Sequence, residues 1–177
     1  MSGSRISRLY FLLTVLVAVL FAVYALAYTN NRPCPPLDDS LIHYQYAKMF
    51  AEGHPFSYNP VDGYTKGATS FLYPILLAPF FLICFEGLWI FLPAFLIGLV
   101  SLWASAITTR RLLIRLTENE EASAVAGFLL ILNGPLLWGF LSGMEIGLFC
   151  ALLTAFLYYA VEEKSVRTGL TGIFLCL

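Results

Sequence analysis

Long apolar runs without charge constrain the fold of this chain most. The first, residues 9–28, contains no charged residue and is about as long as a helix must be to cross a bilayer. It follows Arg5 and Arg8, as a signal-peptide core would, but it exceeds the usual length of about 7–15 residues and no A-x-A-like site follows it. Because backbone polar groups must be paired within lipid, the run is predicted to be a retained transmembrane helix.

The composition places the whole chain in the same class. Of its 177 residues, 59% are hydrophobic and only 12% are charged, and the mean hydropathy is +0.80, which is too apolar for a water-soluble domain. A net charge of −1 gives no reason to expect a nucleic acid as partner. The four cysteines form no CxxC pair and are not spaced with histidines as metal ligands would be, so they do not indicate a compartment or a cofactor.

Further apolar runs predict additional crossings. They lie at residues 88–109, 122–141 and 147–161, and another begins at 169–177. The run at 122–141 is interrupted by Asn133-Gly134-Pro135, which predicts a kink or a break. The last run continues to Leu177 without polar residues to close it at an interface. Residues 1–177 are therefore interpreted as the N-terminal part of a longer transmembrane domain.

The basic residues predict the orientation, because those near helix ends stay mostly in the cytoplasm. Arg5 and Arg8 precede the first run, and Arg110, Arg111 and Arg115 follow the run at 88–109. If both groups are cytoplasmic, an even number of crossings separates them. We therefore predict an all-α, polytopic plasma-membrane protein: a transmembrane helix bundle whose N-terminus is cytoplasmic and whose first loop, 29–87, is external.

Two helices that lie along the membrane surface are predicted in the external loop. The first, at about 38–52, begins with Asp38-Asp39-Ser40, residues that can cap a helix. Its apolar residues fall on one side and its polar ones on another, as in a juxtamembrane helix. The second, at about 69–85, contains Pro74 and Pro79, which remove backbone hydrogen bonds and favour an interfacial or re-entrant helix over a straight crossing.

The paired carboxylates Asp38 and Asp39 are the first candidates for chemistry. One aspartate at a helix start is explained by capping and by the helix dipole, and one would suffice for that. A second adjacent carboxylate suits a general base or a cation site. On spacing alone, the pair is a candidate for catalysis or for a cation site, and if a divalent metal binds, Asp38 and Asp39 are its predicted ligands.

Glu145 is the second candidate, since a carboxylate between two apolar helices is costly near a bilayer unless it has a function. Its other interpretation is a loop glutamate in water. Lys66 could bind a phosphate, and tyrosines such as Tyr46 and Tyr64 could line a sugar or prenyl site, although interfacial aromatic belts explain tyrosines equally well. The histidines, His43 and His54, are predicted to lie on the surface.

Several motifs together resemble the GT-C superfamily of polytopic glycosyltransferases, and most closely the branch that includes the mycobacterial terminal arabinofuranosyltransferases. The resemblance covers most of residues 9–161. The motifs are the acidic pair and aromatic helix DDSLIHYQYAK at 38–48, AEGH at 51–54, FSYNP at 56–60, GYT at 63–65, ATSFLYP at 68–74, and SGME at 142–145 before GLF.

This resemblance implies transfer of a sugar from a polyprenyl-phosphate donor to a glycan or lipid acceptor on the external face of the membrane. An acidic residue of the first external loop is implied to be the base, with inversion at the sugar carbon. The candidates for the donor or acceptor site are Glu145, Lys66, Tyr64, His54 and Tyr46. The alternative is a non-enzymatic membrane protein, such as a lipid-binding subunit or a transporter fragment, whose acidic pair binds a cation or a partner.

Overall fold

The described part of the chain in the computed structural model contains helices joined by loops and no strand, which confirms the all-α class. It comprises residues 3–61, 63–65, 67–83, 85 and 87–177. The helices are α1 Gly3–Tyr28, α2 Asp39–Ala51, α3 Leu72–Leu82, α4 Phe91–Thr117, α5 Glu120–Leu132, α6 Gly134–Leu141, α7 Ile146–Val161 and α8 Ser165–Cys176, and a 3-10 turn, Gly87–Ile90, leads directly into α4.

In the part of the chain that the structure describes, two helical segments are long and apolar enough to cross a membrane. They are α1, with 26 residues, and the continuous segment Gly87–Thr117, with 31 residues. Helices α5 and α6 form a third candidate if they are taken together as one span with a bend of 61°. Helix α7, with 16 residues, is shorter than the about 20 residues of a usual crossing. The chain is thus a helical protein suited to a membrane, and the complete topology stays a prediction.

The break predicted at Asn133-Gly134-Pro135 is confirmed. Asn133 has an extended backbone, with ψ of 110°, so it cannot continue α5. Its side-chain oxygen accepts a hydrogen bond from Leu136 N at 3.0 Å and thereby caps α6. Pro135 follows in the first turn of α6, where a missing N–H costs nothing.

Helix α4 is the centre of the packing and contacts α1, α5, α6 and α7. A buried cluster that includes Tyr10, Leu102, Ile131 and Phe140 joins these helices. Gly98 allows α4 and α6 to approach closely, because a Cβ at this position would lie 1.9 Å from the carbonyl oxygen of Phe140. Small residues have this role in membrane helices, where close backbone packing replaces the hydrophobic effect as the main attraction.

The two basic groups lie at the same end of the helices. Trp103 Nε1 of α4 donates a hydrogen bond to the carbonyl oxygen of Ser7 in α1 at 3.3 Å. Arg110 also lies beside Gly3, at the beginning of α1. The N-terminal turns of α1 therefore pack against the C-terminal part of α4, as antiparallel neighbours do. An even number of crossings between the two basic groups requires this arrangement. The side of the membrane on which both groups lie stays a prediction.

Cysteine labelling in intact cells would test this orientation. In a background without the four native cysteines, single cysteines at Asp39, Tyr64 and Glu145 are expected to react with an impermeant reagent. Cysteines at Arg111 and Lys164 are expected to react only after the membrane is opened, because arginine and lysine accumulate on the cytoplasmic side. External labelling at position 111 would contradict the predicted parity and turn the 69–85 segment into a crossing.

Several helix boundaries and the extent of one buried helix face differ from the prediction. Helix α1 begins before residue 9, α3 covers only the middle of 69–85, and α8 begins before 169. Helix α2 agrees with the prediction in part, because Tyr46 and Met49 on its apolar side are buried and Lys48 on its polar side is exposed. Ser40, His43 and Tyr44 are buried as well and the helix packs against α3, so its buried surface is wider than predicted. The surface position predicted for His43 is also wrong, because this residue is 3% exposed.

Candidate functional site

The acidic pair begins α2, and its two carboxylates differ in what they contact. Asp38 is the N-cap, and its Oδ1 accepts a hydrogen bond from Asp39 N at 3.1 Å. Within the described residues, the carboxylate of Asp39 has neither a hydrogen bond nor an ion pair. Both side chains are exposed. Asp38 therefore has a structural role in the helix start, whereas Asp39 is available to a ligand.

Glu145, at the N-cap position of α7, contacts two segments that are distant in sequence. Its Oε2 lies 2.8 Å from His43 Nε2 of α2. Its Oε1 accepts a hydrogen bond of 2.6 Å from the Thr69 hydroxyl, just before α3. The His43–Oε2 contact does not have regular hydrogen-bond geometry, and among the described residues His43 Nδ1 has no hydrogen-bond partner. Glu145 thus joins the beginnings of three helices.

Glu145 is ionised in this environment. Its burial raises the pKa, but the contact with His43 and the hydrogen bond from Thr69 together outweigh burial and lower the pKa from 4.5 to about 2. The side chain is 17% exposed, so the charge is largely shielded from water. A fixed negative charge therefore lies close to the beginning of α2.

This carboxylate should make the free energy of unfolding depend on pH. A lowered folded-state pKa stabilises the fold above pH 4.5, and that contribution is lost as the pH falls towards 2. We expect Glu145→Gln to lower the melting temperature by several degrees at neutral pH, since a charged hydrogen bond contributes about 1.5–3 kcal/mol. The difference from the natural protein should shrink below pH 4.5.

Thermal unfolding of both proteins in detergent micelles, from about pH 7 to about pH 3, measures this dependence. The other carboxylates titrate in both proteins, so only the difference between the two curves reports on Glu145. A difference that stays constant over this range would contradict an ionised Glu145 in the fold.

The turn before Glu145 is held by two tyrosines. Tyr44 of α2 and Tyr73 of α3 both donate to the carbonyl oxygen of Gly143, at 3.1 and 2.9 Å. Burial raises the pKa of both phenols, so they remain protonated donors. Gly143 has φ of +82°, a conformation that favours glycine. The position of Glu145 is therefore fixed by its own contacts and by this turn.

The remaining predicted site residues are spread over the loop. Tyr46 is 1% exposed; its hydroxyl accepts from Gly67 N at 2.8 Å and lies 2.6 Å from Thr65 Oγ1, so it supports the loop beside it. Tyr64 is 87% exposed and is available to a ligand. Lys66 lies outside the described residues.

His54 is not part of the same cluster as the acidic pair. It follows the C-terminal end of α2, whereas Asp38 and Asp39 lie at its N-terminal end. A helix of 13 residues is about 20 Å long, so His54 lies roughly that far from the acidic pair. His54 is exposed and is therefore available for contacts elsewhere on this surface.

The acidic pair, Asp38 and Asp39, offers fewer ligands than a divalent metal requires. Hard cations take about six oxygen ligands, several of them carboxylates. In the part of the chain that the structure describes, no group of three or more His, Cys, Asp or Glu side chains converges on one point. The Asp38 carboxylate is also engaged in the cap. The predicted metal ligands thus do not form a complete metal site by themselves.

A cavity of about 210 Å³ lies against Glu145. Thr69, Ser70 and Glu145 line one part of it, and Ile146, Phe149 and Leu152 belong to its apolar wall. Its shape and lining suit a molecule with a polar group beside a hydrocarbon segment.

Sequence reasoning missed His43, Thr69 and Tyr73 as partners of the SGME segment. A signal for His43 exists: Ser40, His43, Tyr44 and Ala47 recur at i, i+3, i+4 and i+7, the spacing of a buried helix face, and all four are buried. No family model, no curated protein and no solved structure matches the chain. The functional argument therefore depends on the residues themselves.

Proposed function

We propose that this chain is part of a membrane glycosyltransferase of the GT-C type, which transfers a sugar from a polyprenyl-phosphate donor to an acceptor hydroxyl on the outer face of the membrane. The observation that carries the proposal is the contact of Glu145 with both His43 and Thr69. These residues belong to three of the motifs on which the resemblance rests. Their contact supports the interpretation of those motifs as one site.

Asp39 is assigned as the general base. It precedes His43 by four residues, so the two lie on neighbouring turns of one helix face, and His43 contacts Glu145. The exposed carboxylate takes the proton of the acceptor hydroxyl while the acceptor oxygen attacks the anomeric carbon. The bond from that carbon to the donor phosphate breaks on the opposite side, and the lipid phosphate leaves with the bonding electrons, which inverts the carbon.

Glu145 is assigned to the stabilisation of charge on the sugar. Glycosyl transfer passes through a state in which the sugar ring carries positive charge. A carboxylate held by His43 and Thr69 is already oriented, so it need not reorganise when that charge develops. The cavity beside it would take the polar part of the donor, with the prenyl chain along its apolar wall.

A transfer assay tests this function. The chain, in its full natural reading frame, would be reconstituted in lipid vesicles with a panel of polyprenyl-phosphate sugars and with glycan and lipid acceptors. We expect transfer from at least one donor, with a product whose anomeric configuration is opposite to that of the donor. Saturable donor binding without transfer to any acceptor would favour the alternative, a lipid-binding subunit or a transporter fragment.

A further inference from the structure

A second cavity, lined by two arginines, lies far from Glu145. It has a volume of about 240 Å³ and is formed by the N-terminal turns of α1 and the C-terminal part of α4. Its lining residues are Gly3, Ser7, Tyr10, Ile107, Arg110 and Arg111. The turn before Glu145 packs on Phe91 at the other end of α4, which places the two cavities roughly 30 Å apart along this helix.

Among the described residues, the arginines of this cavity lack acidic partners. Within the described residues, neither Arg110 nor Arg111 forms an ion pair, whereas Arg115, about one turn further along α4, contacts Glu162. Arg110 Nε is buried and, among the same residues, has no hydrogen-bond partner. Buried donors are normally satisfied, so this N–H is available to a further acceptor.

The nearest acidic residues in sequence do not neutralise the cavity. Glu118, Glu120 and Glu121 follow the C-terminal end of α4 and are exposed, and none of them lines the cavity. Arg5 and Arg8 add positive charge in the adjacent part of α1. The local charge around the cavity is therefore positive.

In a bilayer, this cavity lies at the level of the lipid headgroups. The segment Gly87–Thr117 has 31 residues, and about 20 suffice to cross the hydrocarbon core. The part of α4 that begins near Arg110 therefore extends into the headgroup region. Phosphate groups lie at this depth, and the planar guanidinium of arginine binds phosphate oxygens through two parallel hydrogen bonds.

We propose that this cavity binds a phosphate group, carried either by the headgroup of an anionic lipid or by a soluble anion. Arg110 and Arg111 supply the charge and the paired donors, and Ser7 adds a hydroxyl to the lining. A zwitterionic headgroup carries a positive charge beside its phosphate, so the site should prefer phosphatidylglycerol to phosphatidylcholine.

Native mass spectrometry of the purified, delipidated protein tests the site. The protein would be titrated with phosphatidylglycerol, with phosphatidylcholine, and with phosphatidylglycerol in the presence of inorganic phosphate. We expect Arg110→Gln/Arg111→Gln to weaken phosphatidylglycerol binding at least about tenfold, because two charged hydrogen-bond donors are lost. The matched control is Arg5→Gln/Arg8→Gln, which removes the same charge beside the cavity without altering its lining, and it should change binding less than about twofold.

The outcomes separate a site from diffuse attraction. Equal weakening in both double variants, or no weakening in Arg110→Gln/Arg111→Gln, would overturn the proposal. Competition by millimolar inorganic phosphate supports a soluble anion as the ligand, and resistance to it supports the lipid. If the Arg110→Gln/Arg111→Gln protein does not fold, Ile107→Trp fills the cavity while keeping both arginines, and unchanged binding in that variant would equally overturn the proposal.

Discussion

Asp39→Asn is expected to lower the rate of sugar transfer by about 10²–10⁴-fold, the usual contribution of a general base. The amide cannot accept the proton of the acceptor hydroxyl, but it has almost the same shape as the carboxylate. The side chain is exposed and without a partner in the described residues, so insertion and folding should be unaffected. The measurement is the initial transfer rate in vesicles, corrected for the amount of inserted protein.

Asp38→Asn is the matched control, with the same chemical change one residue earlier. Asparagine is as good an N-cap as aspartate, so the hydrogen bond to Asp39 N is expected to persist and the rate to change little. Loss of transfer in Asp38→Asn alone would mean that Asp38, and not Asp39, is the general base. Full activity in both variants would rule out the acidic pair as the base.

The helical class and the break before α6 could be predicted because both depend on local chemistry. Uncharged apolar runs must form helices in lipid, and Asn133-Gly134-Pro135 combines a cap, a flexible residue and a missing N–H. The predicted start of α1, residue 9, is too late because the prediction follows the uncharged run, and Arg5 and Arg8 lie before that run. A charge limits the part of a helix that lies in the hydrocarbon core, but the helix itself continues to Gly3.

Periodicity could predict only part of the buried surface of α2, because apolar and aromatic residues occur on nearly every side of this helix. Tyr44 and Tyr46 are both buried although they differ by two positions and point in different directions: one contacts Gly143 and the other Gly67. A helix covered on two sides leaves no single apolar stripe. The residues of α2 that are buried depend on the segments that pack against this helix. Local sequence spacing does not identify those segments.

The contacts of Glu145 depend on tertiary structure in the same way. Thr69 and Glu145 are 76 positions apart, and no spacing rule joins residues at that separation. The sequence could predict that a carboxylate between apolar helices is costly, and so select Glu145 as a candidate. It could not predict that His43 and Thr69 would be the groups that offset this cost.

Gly143→Ala is expected to destabilise the protein strongly, by about 3–5 kcal/mol, because two unfavourable effects add. The residue has φ of +82°, a conformation that strains any side chain with a Cβ. That Cβ would also lie 2.2 Å from the Tyr44 hydroxyl oxygen and 3.0 Å from the ring of Phe91. Thermal unfolding in detergent micelles measures the loss, and the transfer rate should fall with it because Glu145 follows this turn.

Gly53→Ala separates the two effects. Gly53 has the same φ of +82°, but nothing lies within 4 Å of its would-be Cβ, so this variant reports backbone strain alone and should lose only about 1–2 kcal/mol. In a Tyr44→Phe background the nearest clashing atom is absent, and Gly143→Ala should then cost less than it does in the natural protein. Equal costs at Gly143 and Gly53 would mean that the Tyr44 hydroxyl does not lie against the turn, and Tyr73 would then be the tyrosine that holds it.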